Sequence, residues 1–437
     1  MLANIVERKL NVQNIIIPNE LFLSAKQERI MTSYPKEKIN ILFLENISEK
    51  AVQLFKQNGY THIKKLTGAL SEDELIHAIK DVHLLGIRSK TQITERVLNA
   101  ATKLQAIGCF CIGVNQVNLK AATKNGVAVF NAPYSNTRSV AELVIGSSIM
   151  LIRKIMDKNN AAHKGIWLKE SKGSYELRGK TLGIIGYGNI GSQVSVLAES
   201  LGMKVIFYDV ETKLPLGNAV ACKSIKELVS NADIVSLHVP ETPQTKNLIN
   251  KPILKYFKKG SILINYARGE VVDLIALSKA LQEQQLSGAA VDVFPVEPEK
   301  NGDDFTTVLQ GLSNVLLTPH IGGSTEEAQE NIGIDASNKL YQFLESGITN
   351  GSHTVPALSL PPVESAHRIL HIHKNVPGVL SAINGSLSKN NINIVGQHLK
   401  TNDEIGYVVL DVDKKLSKQA LALLKDIKET IKVRILY

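Results

Sequence analysis

Lys180-Thr-Leu-Gly-Ile-Ile-Gly-Tyr-Gly-Asn-Ile-Gly191 runs an apolar segment into a turn of three glycines, and helical spacing follows from Gln193 to Leu201. Thr181 to Ile185 shows no polar–apolar alternation, so it reads as a parallel strand buried on both faces. Gly186 permits the tight turn, Gly188 lets a pyrophosphate approach the backbone, and Gly191 lets helix and strand pack closely. The free N–H groups of the helix start attract the anion. A second strand, Lys204-Val-Ile-Phe-Tyr, ends in Asp209, about eighteen residues past Gly191. A carboxylate there accepts both ribose hydroxyls of an adenosine and repels a 2′-phosphate, so the pattern predicts NAD rather than NADP. Alone the glycines are a weak signal; the strand–helix–strand context and Asp209 make it strong.

With 437 residues the chain exceeds one ordinary core and implies two or three domains. The charged fraction of 21% marks a soluble globular protein. The longest apolar segment, Leu143 to Ile152, is too short to cross a bilayer. Glu7, Arg8 and Lys9 stand where an export signal needs its apolar core, which predicts a cytoplasmic protein. Three cysteines make no disulfide framework. Cys109 and Cys111 are expected on one face of a strand, as buried small apolar residues rather than metal ligands; no metal is expected. The net charge of +9 comes from scattered Lys and Arg without a basic tract. That predicts a solvated surface and a pocket for an anionic substrate, not nucleic acid.

Residues 1–37 form an N-terminal extension whose mixed polar composition is compatible with disorder, with one apolar patch at Ile15-Ile-Ile-Pro18; Met31 offers an alternative start. Structure is expected from the strand at Lys38. Strand and helix patterns then alternate: helix 51–57 stopped by Asn58-Gly59, helix 71–80 with a Ser71/Glu74 capping box, strand 83–87, helix 95–101 and strand 104–107. This rhythm describes a parallel sheet covered by helices. A turn at Phe130–Asn136 leads to one long helix from Ser139 to about Met156, read as a bridge between domains. Thr325 to Leu344 reads as another long helix returning to the first domain. The Pro- and Ser-rich stretch 349–363 reads as a linker. From about Ala366 the pattern is βαββαβ, a ferredoxin-like order. The fold class is therefore α/β: two doubly wound parallel-sheet domains and a small ferredoxin-like one. The boundaries are 38–135 with 323–364, 136–322, and 365–437.

A nicotinamide needs a substrate anchor and a proton donor beside it. Three residues at strand ends suit these roles. Arg268 ends the apolar strand of Leu263-Ile-Asn-Tyr-Ala-Arg-Gly269, and its guanidinium can hold a carboxylate through two parallel hydrogen bonds. His320 follows Val315-Leu-Leu-Thr-Pro and precedes Gly322 and Gly323, which leave room for a ligand. Glu297 lies in a loop stiffened by Pro295 and Pro298 and can orient an imidazole, whose protonated form it stabilises. Each has a plainer reading, as a surface ion-pair Arg, an exposed Glu and a His satisfied by backbone. The order Arg, Glu, His after a dinucleotide loop favours chemistry.

From residue 38 to Tyr437 the chain resembles the D-2-hydroxyacid dehydrogenases, and among them the bacterial D-3-phosphoglycerate dehydrogenases with a C-terminal ACT domain. The strings that carry the resemblance are Ile107-Gly-Cys-Phe-Cys-Ile-Gly113, Phe130-Asn-Ala-Pro-Tyr-Ser-Asn-Thr-Arg-Ser-Val-Ala-Glu142, Val235-Ser-Leu-His-Val-Pro240, Leu317-Thr-Pro-His-Ile-Gly-Gly-Ser-Thr325 and His371-Ile-His-Lys-Asn-Val-Pro-Gly378. It implies NAD-dependent oxidation of 3-phosphoglycerate to 3-phosphohydroxypyruvate, the first step of serine synthesis. It assigns substrate anchoring to Arg268, acid/base work to His320 and orientation to Glu297. Arg88, Ser89, Asn136 and Gln329 match substrate positions, and Lys90 and Lys169 fall where cations meet the phosphate. Besides the glycine loop with Asn189 and Ile190, the implied cofactor contacts are His238, Val239, Pro240, Tyr266, Ala267, Arg268, Asp292, His320, Gly322 and Gly323.

The terminal domain resembles an ACT module, with His373, Asn375 and Asn393 at positions that hold serine across a subunit interface. A module that only dimerises is the alternative. The chain departs from the family at the hinge, with Ser365-Ala366 in place of Gly-Gly, which predicts that hinge-based inhibition is weaker or moves elsewhere. The resemblance implies a homotetramer. Two rivals stay open: a reductase of glyoxylate, hydroxypyruvate or 2-oxoglutarate, and an NAD-responsive binding protein without catalysis.

Overall fold

The computed structural model describes residues 35–298, 302–363 and 365–436; the expected extension falls almost wholly outside them. The first sheet contains β1 (Ile41–Phe43), β2 (Ile63–Lys65), β3 (Leu84–Ile87), β4 (Ala106–Cys109) and β5 (Ala128–Asn131). They are parallel, in the order β2-β1-β3-β4-β5. Helices α1 (Glu49–Gln57), α2 (Glu72–Ala78), α3 (Glu95–Ala100) and α4 (Leu119–Lys124) cover its faces. Strands β3, β4 and β5 are buried at every position, which is why they read as unbroken apolar runs. The capping box is present at Ser71 and Glu74. Gly59 ends α1 with φ +89°. One expectation is corrected: pairing with β3 ends at Cys109, so Cys111 lies in the loop beyond the strand. There its Sγ meets Gln116 Nε2 and the Gly113 carbonyl.

Helix α5 (Thr137–Ile152) crosses to the second unit and packs on its sheet. The single helix expected to Met156 is broken, because Lys154 adopts a left-handed conformation (φ 53°) before α6 (Ile155–His163). The second sheet is built by β6 (Thr181–Ile185), β7 (Lys204–Tyr208), β8 (Val220–Ala221), β9 (Ile234–Leu237), β10 (Ser261–Asn265), β11 (Leu286–Val291) and β12 (Val315–Leu317). Its order is β12-β11-β10-β9-β6-β7-β8, all parallel, with the reversal between β6 and β9. Open sheets of this kind place ligands at that reversal, beyond the carboxyl ends of the strands. Helices α7 (Asn189–Ser200), α8 (Ile225–Asn231), α9 (Lys251–Leu254) and α10 (Leu274–Gln282) accompany it.

Helix α11 (Glu326–Ser346) returns to the first sheet. Leu340 fills the space above Gly108, and Lys339 Nζ donates to the Asn131 carbonyl. The Pro- and Ser-rich stretch is not a free linker: Ser352 bridges Phe130, and the Thr354 hydroxyl donates to the Val127 carbonyl and accepts from Val129 N. Polar side chains tie it to the edge of β5, a long-range pairing that composition does not signal.

The last unit contains β13 (His367–Lys374), α12 (Val379–Lys389), β14 (Ile394–Thr401), β15 (Ile405–Val412), α13 (Ser417–Lys425) and β16 (Thr430–Leu436). Its antiparallel order β14-β15-β13-β16 is ferredoxin-like. Arg368 makes a buried two-pronged contact to Asp411, at 2.8 and 3.0 Å, and also donates to the Ser346 and Pro361 carbonyls. Leu370, Ile372 and Tyr407 share one core with Phe43, Phe130 and Phe343 of the first unit. No helix among the described residues is long and apolar enough to cross a membrane.

Candidate active site

Strands β10, β11 and β12 deliver Arg268, Asp292, Glu297 and His320 to one end of the second sheet. Asp292, buried at the end of β11, organises the loop after β12. Its Oδ1 accepts from Ile321 N and the Thr318 hydroxyl, its Oδ2 from Gly322 N, and its carbonyl from His320 N. Held this way, His320 takes φ +54°, a conformation that costs an L-residue energy unless its surroundings impose it. His320 Nδ1 lies 2.8 Å from Glu297 Oε2, and Glu297 Oε1 accepts from Phe294 N. A carboxylate only accepts, so Nδ1 carries the proton and Nε2 is left free to take one. The Glu297 hydrogen bond raises the His320 pKa above its ordinary 6.5, against the opposing effect of burial. Burial pushes the Glu297 carboxyl up, but its hydrogen bonds to His320 and Phe294 N outweigh this and hold it below the carboxylate norm.

Arg268 stands close enough that its charge bears on both groups. Asn265 fixes the turn there, with its Oδ1 accepting from Ala267 N and its Nδ2 donating to the Arg268 carbonyl. Gly269 lies so close to the backbone of Phe294 that an added Cβ would sit 2.0 Å from its carbonyl carbon. The loops carrying Arg268 and Glu297 are thus in direct backbone contact.

At the β6–β9 reversal, Gly186 has φ +92° and no space for a side chain beside His238 and Val239. Gly191 touches the Gly186 carbonyl, while the Cβ direction of Gly188 is open. The tight turn at Gly186 and the close helix–strand packing at Gly191 are as expected, and the open space at Gly188 leaves its backbone accessible. The cradle fits a dinucleotide, with Asn189 and Ile190 in the first turn of α7. Asp209 accepts from Tyr187 N at 2.8 Å, which brings its carboxylate to the glycine loop. His238 is partly buried, with Nε2 2.8 Å from Ser236 Oγ, and the loss of solvent around its ring pulls its pKa down to about 3. Tyr266 joins Ser147 of α5 at 2.6 Å. Val239, Pro240 and Ala267 follow the same strand ends.

The first unit contributes from its own reversal, between β1 and β3. Arg88 Nη2 donates to Gln329 Oε1 at 2.6 Å, and Gln329 Nε2 donates to the Gly323 carbonyl. Asn136 packs against Gly323 so tightly that a Cβ there would sit 2.2 Å from its Nδ2. Arg88, Asn136 and Gln329 are therefore brought to the His320 loop, with Ser89 and Lys90 exposed beside Arg88. Lys169 is exposed in the loop after α6, and no hydrogen bond or ion pair joins it to this group. Sequence reasoning missed Glu45, which fastens the 88–91 loop from below; a buried Glu after an apolar strand was the only available signal.

In the last unit, the buried His373 ring lies over Gly406, with Nδ1 2.8 Å from the Lys374 carbonyl. Its Nε2 is buried without a partner. Asn375 Nδ2 donates to the Asn402 carbonyl at 2.7 Å. Asn393 is not brought to them. It precedes Ile394, which aligns through Val412 with His367, at the far end of β13.

Residues 145–322 match the D-isomer specific 2-hydroxyacid dehydrogenase NAD binding domain, and residues 369–432 match an AHAS small subunit-like ACT domain. D-3-phosphoglycerate dehydrogenase of Escherichia coli is 51% identical over 407 residues, covering 93% of this chain and 99% of that protein. The protein of the same name from Haemophilus influenzae is 52% identical over 405 residues, with the same coverage. The crystal structure of a D-lactate dehydrogenase from Aquifex aeolicus, complexed with NAD and lactic acid, superposes with a TM-score of 0.64 at 28% identity. It covers 73% of this chain and all of that one.

Proposed function

The chain belongs to the D-3-phosphoglycerate dehydrogenases of the D-isomer specific 2-hydroxyacid dehydrogenase family, and from this we propose that it oxidises 3-phospho-D-glycerate to 3-phosphohydroxypyruvate with NAD, the first step of serine synthesis. The observation that carries the reading is the His320–Glu297 pair, 2.8 Å apart, beside Arg268.

Bound at the glycine loop, NAD supplies the acceptor for the hydride leaving C2. Arg268 holds the substrate carboxylate, which places C2 and its hydroxyl before His320. The free Nε2 of His320 takes the hydroxyl proton as the C2–H bond breaks, and the C2=O bond forms. Glu297 stabilises the resulting imidazolium and keeps its ring in place. In the reverse direction the same nitrogen returns the proton. Arg88, Ser89, Asn136 and Gln329 surround the substrate, and Lys90 and Lys169 meet its phosphate. Serine acts as effector at His373, Asn375 and Asn393, supported by the unpartnered His373 Nε2, a ready hydrogen-bonding atom for a zwitterion. The proposal includes a homotetramer in the cytoplasm, tested by sedimentation and cell fractionation.

Steady-state NADH production from 3-phosphoglycerate, compared with reduction of 2-oxoglutarate, glyoxylate and hydroxypyruvate, tests the substrate. Greater efficiency on an unphosphorylated acid would replace this reading with that reductase. His320→Ala is expected to lower turnover on the order of 10²–10⁴-fold while NAD affinity survives. Retained turnover would refute the mechanism.

A further inference from the structure

Glu45 follows β1 in a left-handed conformation (φ +59°) that an L-residue adopts at a cost. It is 8% exposed. Among the described residues no ion pair accounts for its burial. Its carboxylate is satisfied instead by one loop: Oε1 accepts from Arg88 N at 3.1 Å, from Thr91 N at 2.9 Å and from the Thr91 hydroxyl at 2.7 Å, and Oε2 accepts from Lys90 N at 3.0 Å. Successive backbone N–H groups converging on an oxyanion form the kind of nest that other proteins use for phosphate. Here an internal carboxylate fills it. The backbone N–H groups of Arg88, Lys90 and Thr91 are thus taken up by Glu45, which leaves the side chains of Arg88, Ser89 and Lys90 to meet a ligand.

Arg88 is fixed at two further points. Its carbonyl accepts from Gln116 Nε2 at 2.6 Å, and its guanidinium donates to Gln329. Gln116 is itself buried. β1 and β3 flank the reversal of the first sheet, so the Glu45–loop contact spans the crevice where such sheets seat ligands.

We propose that Glu45 is a positioning residue for the phosphate end of the substrate, acting through the backbone of residues 88–91. This rests on the functional reading above and adds a residue that touches neither substrate nor cofactor. Removing the carboxylate leaves the N–H groups of Arg88, Lys90 and the buried Thr91 without their acceptor, and the loop must turn to find water. Arg88 and Lys90 then lose their aim, while the Arg268, Glu297 and His320 end keeps its geometry.

The test compares reduction of 3-phosphohydroxypyruvate with that of its unphosphorylated counterpart, hydroxypyruvate, by wild-type enzyme, Glu45→Gln and Glu45→Gly. The Gln variant keeps the shape, and the Gly variant relieves the φ strain, so one folded protein is secured. The expected result is a KM for the phosphorylated acid raised roughly ten- to hundredfold. The kcat, the KM for NADH and the KM for hydroxypyruvate should change less than about twofold. A wild-type preference for the phosphorylated acid that survives in both variants overturns this proposal alone. So does a loss shared equally by the two acids. Wild-type enzyme that does not distinguish the acids overturns the functional reading, and this proposal with it.

Discussion

Nδ1 of His320 and Oε2 of Glu297 lie 2.8 Å apart, each on a loop leaving one of two adjacent strands. The carboxylate raises the imidazole pKa above 6.5, and in the proposed mechanism neutral His320 is the base for oxidation. Oxidation should therefore rise with pH through an inflection above 6.5, and reduction, which needs the protonated ring, should fall through it. Glu297→Gln removes the charge that stabilises imidazolium, so both inflections move to lower pH. pH profiles of kcat/KM in both directions check this; an inflection that stays in place rules out the pairing as the source of the shift.

Asp292→Asn tests how the His320 loop is held. The carboxylate accepts from Ile321 N, Gly322 N and the Thr318 hydroxyl, and an amide offers one oxygen for the same three donors. One N–H is left facing an NH₂ group, at a cost of about 1–3 kcal/mol. His320, at φ +54°, depends on those bonds for its direction. Turnover should fall by about tenfold or more, with melting temperature lowered. Wild-type kcat in a destabilised protein would show that the loop positions itself.

Asp209→Ser tests cofactor choice. Asp209 closes the glycine loop through Tyr187 N, and in the proposed NAD site its negative charge repels a 2′-phosphate. Loss of a charge-assisted hydrogen bond costs about 1.5–3 kcal/mol, so kcat/KM for NAD should drop roughly ten- to hundredfold. That for NADP should rise as the repulsion disappears. Parallel titrations with both cofactors decide it, and unchanged discrimination would move the selectivity elsewhere.

What the sequence makes legible here is local. Thr181–Ile185, the three glycines and Asp209 carry their reading in spacing alone, and the structure places them as that spacing requires. The βαββαβ order of the last unit is likewise visible in periodicity. Glu45 was invisible because its partners lie 43 to 46 positions along the chain, and no period links an acid to backbone N–H groups. The break at Lys154 has no sequence signal, because lysine is an ordinary helix former and only its backbone angles mark the end of α5. The stretch after α11 looked like a linker because Pro and Ser also serve, as here, to pin a chain against a strand edge.

Sheet register makes the serine prediction sharp. His373 pairs with Gly406, which pairs with Thr401 at the end of β14. Asn393 precedes the start of β14, level with His367, so along the strands it lies about 20 Å from His373. One chain cannot present both side chains to one small zwitterion. If both hold serine, the site takes His373 from one chain and Asn393 from another. His373→Ala and Asn393→Ala enzymes should each bind no serine by titration calorimetry. A hybrid of the two chains has one site lacking both residues and one site with both intact, so it should recover one serine per pair of chains. A hybrid as silent as its parents, or an Asn393→Ala enzyme that binds serine normally, would remove Asn393 from the site.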